Sequence, residues 1–260
     1  MSNLTFQSRK NRKIKMITSE VELTLDYEAI DVRDTYGFYL TNRTIKSKVK
    51  ELPMIGSFVN NYPDFWALEP ETGLYHKTPN VGICWFKEEN KIDTIDGLVN
   101  AILYKDIELL KFYKQRYSGV KYFAPVDYFL YGDFDEETLT HNIKRQCITY
   151  LWLTFEMDAI VYPLMTYGNE STLSWCFEHI IDGSNVVVSL KMVMTGPEKE
   201  MFHKALKVLV DSKHPKALII YTVSKHETTM EMLKYAIDNG VKIIEVANTM
   251  MNKNRGVSNG

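Results

Sequence analysis

The chain has 260 residues, 45% of them hydrophobic and 25% charged, which is the balance of an ordinary folded domain. Lysine plus arginine number 31 against 33 aspartates plus glutamates, so the net charge of −2 excludes a protein that holds nucleic acid over its whole surface. No apolar run reaches the roughly 18 residues of a membrane-spanning helix, and no apolar core follows the basic start, so neither a membrane partner nor a secretory leader is expected.

The cysteines, Cys84, Cys147 and Cys176, number three and form no C-x-x-C pair. That argues against a disulfide framework or a structural zinc site, and predicts buried thiols in a reducing, cytoplasmic setting.

Residues 1–20 carry Arg9, Lys10, Arg12, Lys13 and Lys15 and read as a basic, flexible tail, the one place suited to contact nucleic acid. Residues 21–50 read as a short β-rich extension, with Glu22–Leu25 and Tyr36–Leu40 as short strands. An α/β domain follows over 51–250, and 251–260 reads as a second flexible tail. Met54–Phe58 reads as an early strand. Tyr62-Pro63-Asp64-Phe65-Trp66 reads as a covering loop, a partner-binding patch or satellite packing.

From about residue 80, short apolar runs alternate with amphipathic segments. The runs are 81–86, 120–126, 159–165, 185–191, 216–222 and 241–246, and the helical segments are about 95–117, 135–157, 171–181, 197–212 and 228–239. The spacing Leu139, Ile143, Cys147, Leu151 predicts one buried helix face, with Asp133 or Asp135 as its cap. Thr195-Gly196-Pro197-Glu198 carries a capping-box pattern with proline in the first turn, and Thr228–Glu231 carries a second; Gly240 supplies a stop. Continuous apolar runs such as Val186–Val188 and Leu218–Tyr221 predict strands covered on both faces. The fold class is therefore α/β, a mostly parallel sheet with outer helices. An open sheet and an incomplete or distorted (β/α) barrel both remain, and Pro125 and Pro163 inside strand runs favour irregularity.

The order of short motifs resembles an uncharacterised domain-of-unknown-function family of low-GC bacteria, their phages and mobile elements. The motifs are Ala124-Pro125-Val126-Asp127-Tyr128-Phe129-Leu130-Tyr131, then Asn142 and Arg145 on a helix, the proline strand Ile160–Pro163, Trp175–Ile180, Ser184 with its valine-rich strand, and Pro215 with Leu218–Tyr221. The resemblance spans about residues 50–246. It departs from the family pattern where Val126 separates Pro125 from Asp127, and where Thr166-Tyr167-Gly168 stands in place of tryptophan-aspartate. It implies a phage or mobile-element context and brings no activity with it.

In parallel α/β folds, ligands sit beyond the carboxyl ends of the strands. Asp127, His226 and Glu245 are the candidate catalytic groups there: two carboxylates able to act as base, nucleophile or magnesium-type ligand, and an imidazole that titrates near neutral pH. Lys191 and Lys225 are candidate anion-binding groups, and Tyr128, Tyr131 and Tyr167 are candidate stacking groups for a base. No phosphate-cradling glycine loop, nucleophile elbow or H-E-x-x-H motif is present in the sequence. Two readings follow. One is a binder or enzyme of a small phosphorylated or nucleotide-like ligand. The other is a non-catalytic factor that binds a host protein. Convergence of Asp127, Glu245 and Lys191 favours the first; their consumption in internal pairs, with an exposed aromatic patch elsewhere, favours the second.

Overall fold

The computed structural model describes residues 3–6, 14–17, 37–69, 80–86, 94, 96–128, 134–191 and 193–249. Strands β1 (Asn3–Phe6) and β2 (Ile14–Ile17) pair antiparallel. The stretch read as a strand near Tyr39 is a helical turn, α1 (Phe38–Thr41). Gly37 begins it at φ 66°, and its missing side chain leaves room for Ile148, which a Cβ would meet at 2.9 Å. The expected strand at Glu22–Leu25 lies outside the described residues.

The remaining elements are β3 (Phe65–Leu68), β4 (Val81–Trp85), α2 (Leu98–Leu103), α3 (Ile107–Arg116), β5 (Tyr122–Val126), α4 (Glu136–Met157) and β6 (Ile160–Val161). A 3₁₀ turn at Glu170–Ser174 leads to β7 (Val186–Ser189), α5 (Gly196–Lys213), β8 (Ala217–Tyr221), α6 (His226–Met232), α7 (Lys234–Asp238), β9 (Lys242–Glu245) and β10 (Ala247–Asn248).

Every pairing among β3–β10 is parallel. Five strands run in the order β10-β3-β4-β5-β6 and three in the order β7-β8-β9. Two links join these sheets. Beyond β6, Val187 N donates to Pro163 O at 2.8 Å and Met165 N donates to Val187 O at 2.9 Å, a parallel bridge from Leu164 to Val187. At the other end β9 and β10 are one stretch of chain around Val246, bonded first to β8 and then to β3. The backbone pairing therefore runs round in a ring of seven staves.

Side-chain parity agrees with closure. Trp66, Cys84, Tyr122, Ala124, Tyr162, Leu164, Val187, Ile219, Tyr221 and Val246 form one buried cluster, which is the interior of the ring. Their chain neighbours Ala67, Ile83, Phe123, Val186, Val188, Leu218 and Ile220 belong to a larger cluster shared with α4 and α5. Two concentric cores result, one inside the staves and one between staves and helices. One end of the interior is filled by Tyr122 and Tyr162, stacked at 6.5 Å, with Tyr62 stacked on Tyr162 at 6.4 Å.

Several expectations change. Phe65–Leu68 is a stave, not a loop, and supplies the strand that an open sheet would lack. Met54–Phe58 gives only an isolated bridge from Ile55 to Ile180, outside the ring. The helix expected over 95–117 breaks into α2 and α3, because Lys105 adopts φ 46° and Asp106 caps the new helix through Leu109 N. The helix expected at 171–181 is one 3₁₀ turn. Thr228 lies within α6 and does not cap it; Lys225 holds that place. The other two caps stand: Asp135 accepts from Thr138 N, and Thr195 and Glu198 form a complete capping box.

Candidate functional site

The carboxyl ends of the staves place the residues with chemistry. Along β7, Val187 points inward, so Ser189 and Lys191 follow the same parity toward the mouth of the ring. Lys191 is half-buried, and its Nζ donates to Phe86 O at 2.6 Å. Phe86 follows β4, three staves from β7 in a ring of seven. The lysine thus spans the mouth from one side to the other. Beneath it, Phe86 and Tyr221 meet with ring centroids 4.9 Å apart. Among the described residues, Lys191 has no carboxylate partner; its one hydrogen-bond partner is a neutral carbonyl. Near the same rim Asn248 Nδ2 donates to Thr222 O at 2.8 Å, and the Thr222 and Thr229 hydroxyls pair at 3.1 Å.

Glu245 points the other way. It is in register with Ile220, which packs outward, and it meets His226 Nδ1 at 2.7 Å, with its own side chain 14% exposed and that of His226 61% exposed. His226 opens α6, so this contact ties β9 to that helix. Lys225 is exposed just before it. Glu245 and Lys191 therefore lie on opposite faces of the staves, and the expected convergence with Lys191 does not include Glu245.

Asp127 follows β5, and Tyr167 follows the proline-bearing stretch after β6. Burial pushes the Tyr167 phenol up, and the Asp127 and Glu198 carboxylates add to that. Tyr128 is buried, with the Arg145 guanidinium 3.8 Å from its ring centre, so that face of the ring is covered. Arg145 also donates to Asn142 Oδ1 at 2.7 Å. Tyr131 lies outside the described residues, as do Arg9, Lys10, Arg12 and Lys13 of the basic tail.

Two buried polar residues beside the motif residue Asn142 escaped the sequence reading. Asn142, Gln146 and Thr149 are buried polar residues at i, i+4 and i+7 along α4, beside the apolar stripe. Gln146 Nε2 donates to Thr166 Oγ1 at 2.8 Å, pinning the chain just after β6. The polar stripe was visible in the spacing, but only contact with Thr166 distinguishes it from a solvated face.

Among the described residues no three histidine, cysteine, aspartate or glutamate side chains cluster as a metal site, and the suggested ligands Asp127 and Glu245 lie in separate groups. No helix among the described residues is long and apolar enough to cross a membrane.

Fold and site together define an α/β protein built on a ring of parallel staves, with polar and cationic groups at their carboxyl ends. Residues 96–243 match the family model described as Domain of unknown function (DUF4417), and the chain belongs to that family. The match starts in the approach to α2, covers the ring from β5 to β8 and ends within β9. No curated protein and no solved structure matches.

Proposed function

We propose that the protein binds a small phosphorylated or nucleotide-like ligand at the carboxyl mouth of the ring, with Lys191 as the group that receives the anion. One observation carries this reading: a half-buried ammonium at the mouth whose one hydrogen-bond partner among the described residues is a main-chain carbonyl. A partly desolvated cation gains far more from an anion than from a neutral acceptor. The inward-parity Ser189 and the rim amide of Asn248 stand at the same end of the staves.

Isothermal titration with ribose 5-phosphate tests the proposal. Binding should weaken by about tenfold or more in Lys191→Met, the scale of one lost charge-assisted contact. Lys225→Met, on the exposed approach to α6, should bind like the parent. Equal binding by parent and Lys191→Met would remove Lys191 from the role, and no binding by the parent would remove the reading.

A second reading, a non-catalytic factor that binds a host protein, draws on α3. This helix has no buried residue, and Ile107 and Phe112 are 64% and 48% exposed. Ile107→Glu should leave ribose 5-phosphate binding intact and abolish capture of any partner held by this face.

A further inference from the structure

Next to Lys191 is a second feature that the anion reading does not use. A crevice of about 130 Å³ opens between the end of β7, the start of α5 and α6. Its walls are Leu190, Val193, Met194 and Met232. Leu190 and Met232 are buried, whereas Met194 is 65% exposed and forms the outer side. The polar groups at its edge are Ser224, Thr228 and Lys199. Among the described residues neither hydroxyl is engaged as donor or acceptor, and the Lys199 ammonium has no ion pair. Thr229 also lines the crevice, but its hydroxyl is taken by Thr222.

We infer that this crevice receives one flat heterocyclic ring, and that the ligand of the mouth is accordingly a pyrimidine-type nucleotide. The inference rests on the anion reading above, and it names the remainder of that ligand. Size sets the first limit. An apolar cavity of about 150 Å³ accepts benzene, so 130 Å³ suits a single six-membered ring and is small for a fused pair. Chemistry sets the second. Methionine thioethers pack well on aromatic faces and adapt to their outline. Hydroxyls both donate and accept, and an ammonium donates, so together they match the carbonyls and ring nitrogen on the edge of a pyrimidine. An alkyl chain would leave all three polar groups unmatched. Position joins the halves. Leu190 and Lys191 are consecutive, with Leu190 facing the crevice and Lys191 the mouth, so ring and phosphate are held on two sides of one stave end.

The test uses the full chain labelled with ¹³C at its methionine methyls, titrated separately with uridine monophosphate, adenosine monophosphate and ribose 5-phosphate. Met232→Leu and Met194→Leu assign the two signals. The expected result is an upfield ring-current shift of both methyls with uridine monophosphate and none with ribose 5-phosphate. Affinity should be about tenfold higher for the uridine compound, and Ser224→Ala with Thr228→Val should erase most of that advantage; Lys199→Gln serves if the double variant fails to fold. Equal affinity for the uridine compound and ribose 5-phosphate with unmoved methyls overturns the inference and leaves the anion reading standing. Adenosine monophosphate binding as tightly, with the same shifts, overturns the single-ring limit. Failure of all three to bind overturns the anion reading, and the inference with it.

Discussion

The ring has two arcs of different character. The arc β7-β8-β9 runs in continuous register, four pairs to each interface, and its long helix α5 starts on a complete capping box. The arc β3-β4-β5-β6 is irregular. Its register shifts between Ile83 and Trp85, β6 has only two residues, and Pro125 and Pro163 interrupt its ladder donors. The regular arc holds Lys191 and the crevice, whereas the irregular arc contributes the Phe86 carbonyl and Asp127 at the end of β5. The cationic group thus leaves a stave of regular register and reaches across to a wall whose register shifts.

The largest expected effect lies at the seam between the arcs. His179 is fully buried in the connection from β6 to β7 with neither ring nitrogen hydrogen-bonded among the described residues, and burial first, with the Lys213 ammonium second, pushes its imidazole down to about 3. The folded protein thus binds a proton less readily than the unfolded chain, whose histidine titrates near 6.5. Between those values the unfolded state holds more protons, so stability falls as pH falls, by up to about 1.4 kcal/mol per pH unit. Urea unfolding at pH 7 and pH 5 should show this loss, and His179→Leu should reduce it. An unchanged pH slope in that variant would place the acid sensitivity elsewhere.

Within the irregular arc, Gly82 lies against the Trp66 ring, and a Cβ there would sit 2.5 Å from Cζ3. Gly82→Ala should cost about 2–3 kcal/mol through overpacking. Gly196→Ala, with nothing within 4 Å of its Cβ, should cost far less. Comparable losses in the two variants would mean that the interior of the ring yields more easily than its packing implies. The smallest effect concerns the regular arc. Thr195→Ala removes the hydroxyl of the capping box and should cost about 1 kcal/mol, read by thermal melting. A loss several times larger would mean that more of that arc than the first turn of α5 depends on the cap.

The regular arc was also the more legible. Its strands, the span of α5 and its cap follow from valine and isoleucine runs and from Thr195-Gly196-Pro197-Glu198, all of which are local signals. In the irregular arc, Phe65–Leu68 has neither alternation nor length, and it becomes a stave only because β4 and β10 flank it. Met54–Phe58, which reads as a strand, finds only one bridge. The break at Lys105 depends on a positive φ at a residue type that seldom adopts one. At the site, Lys191 was legible as the residue that leaves a strand. Its reach to Phe86 was not, because it depends on ring closure over residues far apart in sequence. Glu245 reads as a carboxylate at a strand end, able to converge with Lys191; its parity puts it outside the staves, where His226 meets it.

Closure of the ring has a consequence for how the chain is made. The pairing of Phe65 with Ala247 joins the first stave to the last stretch of described chain. During synthesis β3 must wait, with one ladder edge open, until nearly the whole domain has left the ribosome. An unpaired edge is a template for wrong partners, and contacts this distant in sequence form slowly. The two short residues of β10 thus act as a latch on a nearly finished vessel. A chain interrupted before Ala247 lacks the residues that pair with Phe65 and Trp66, and so leaves that edge of β3 open to any neighbouring strand.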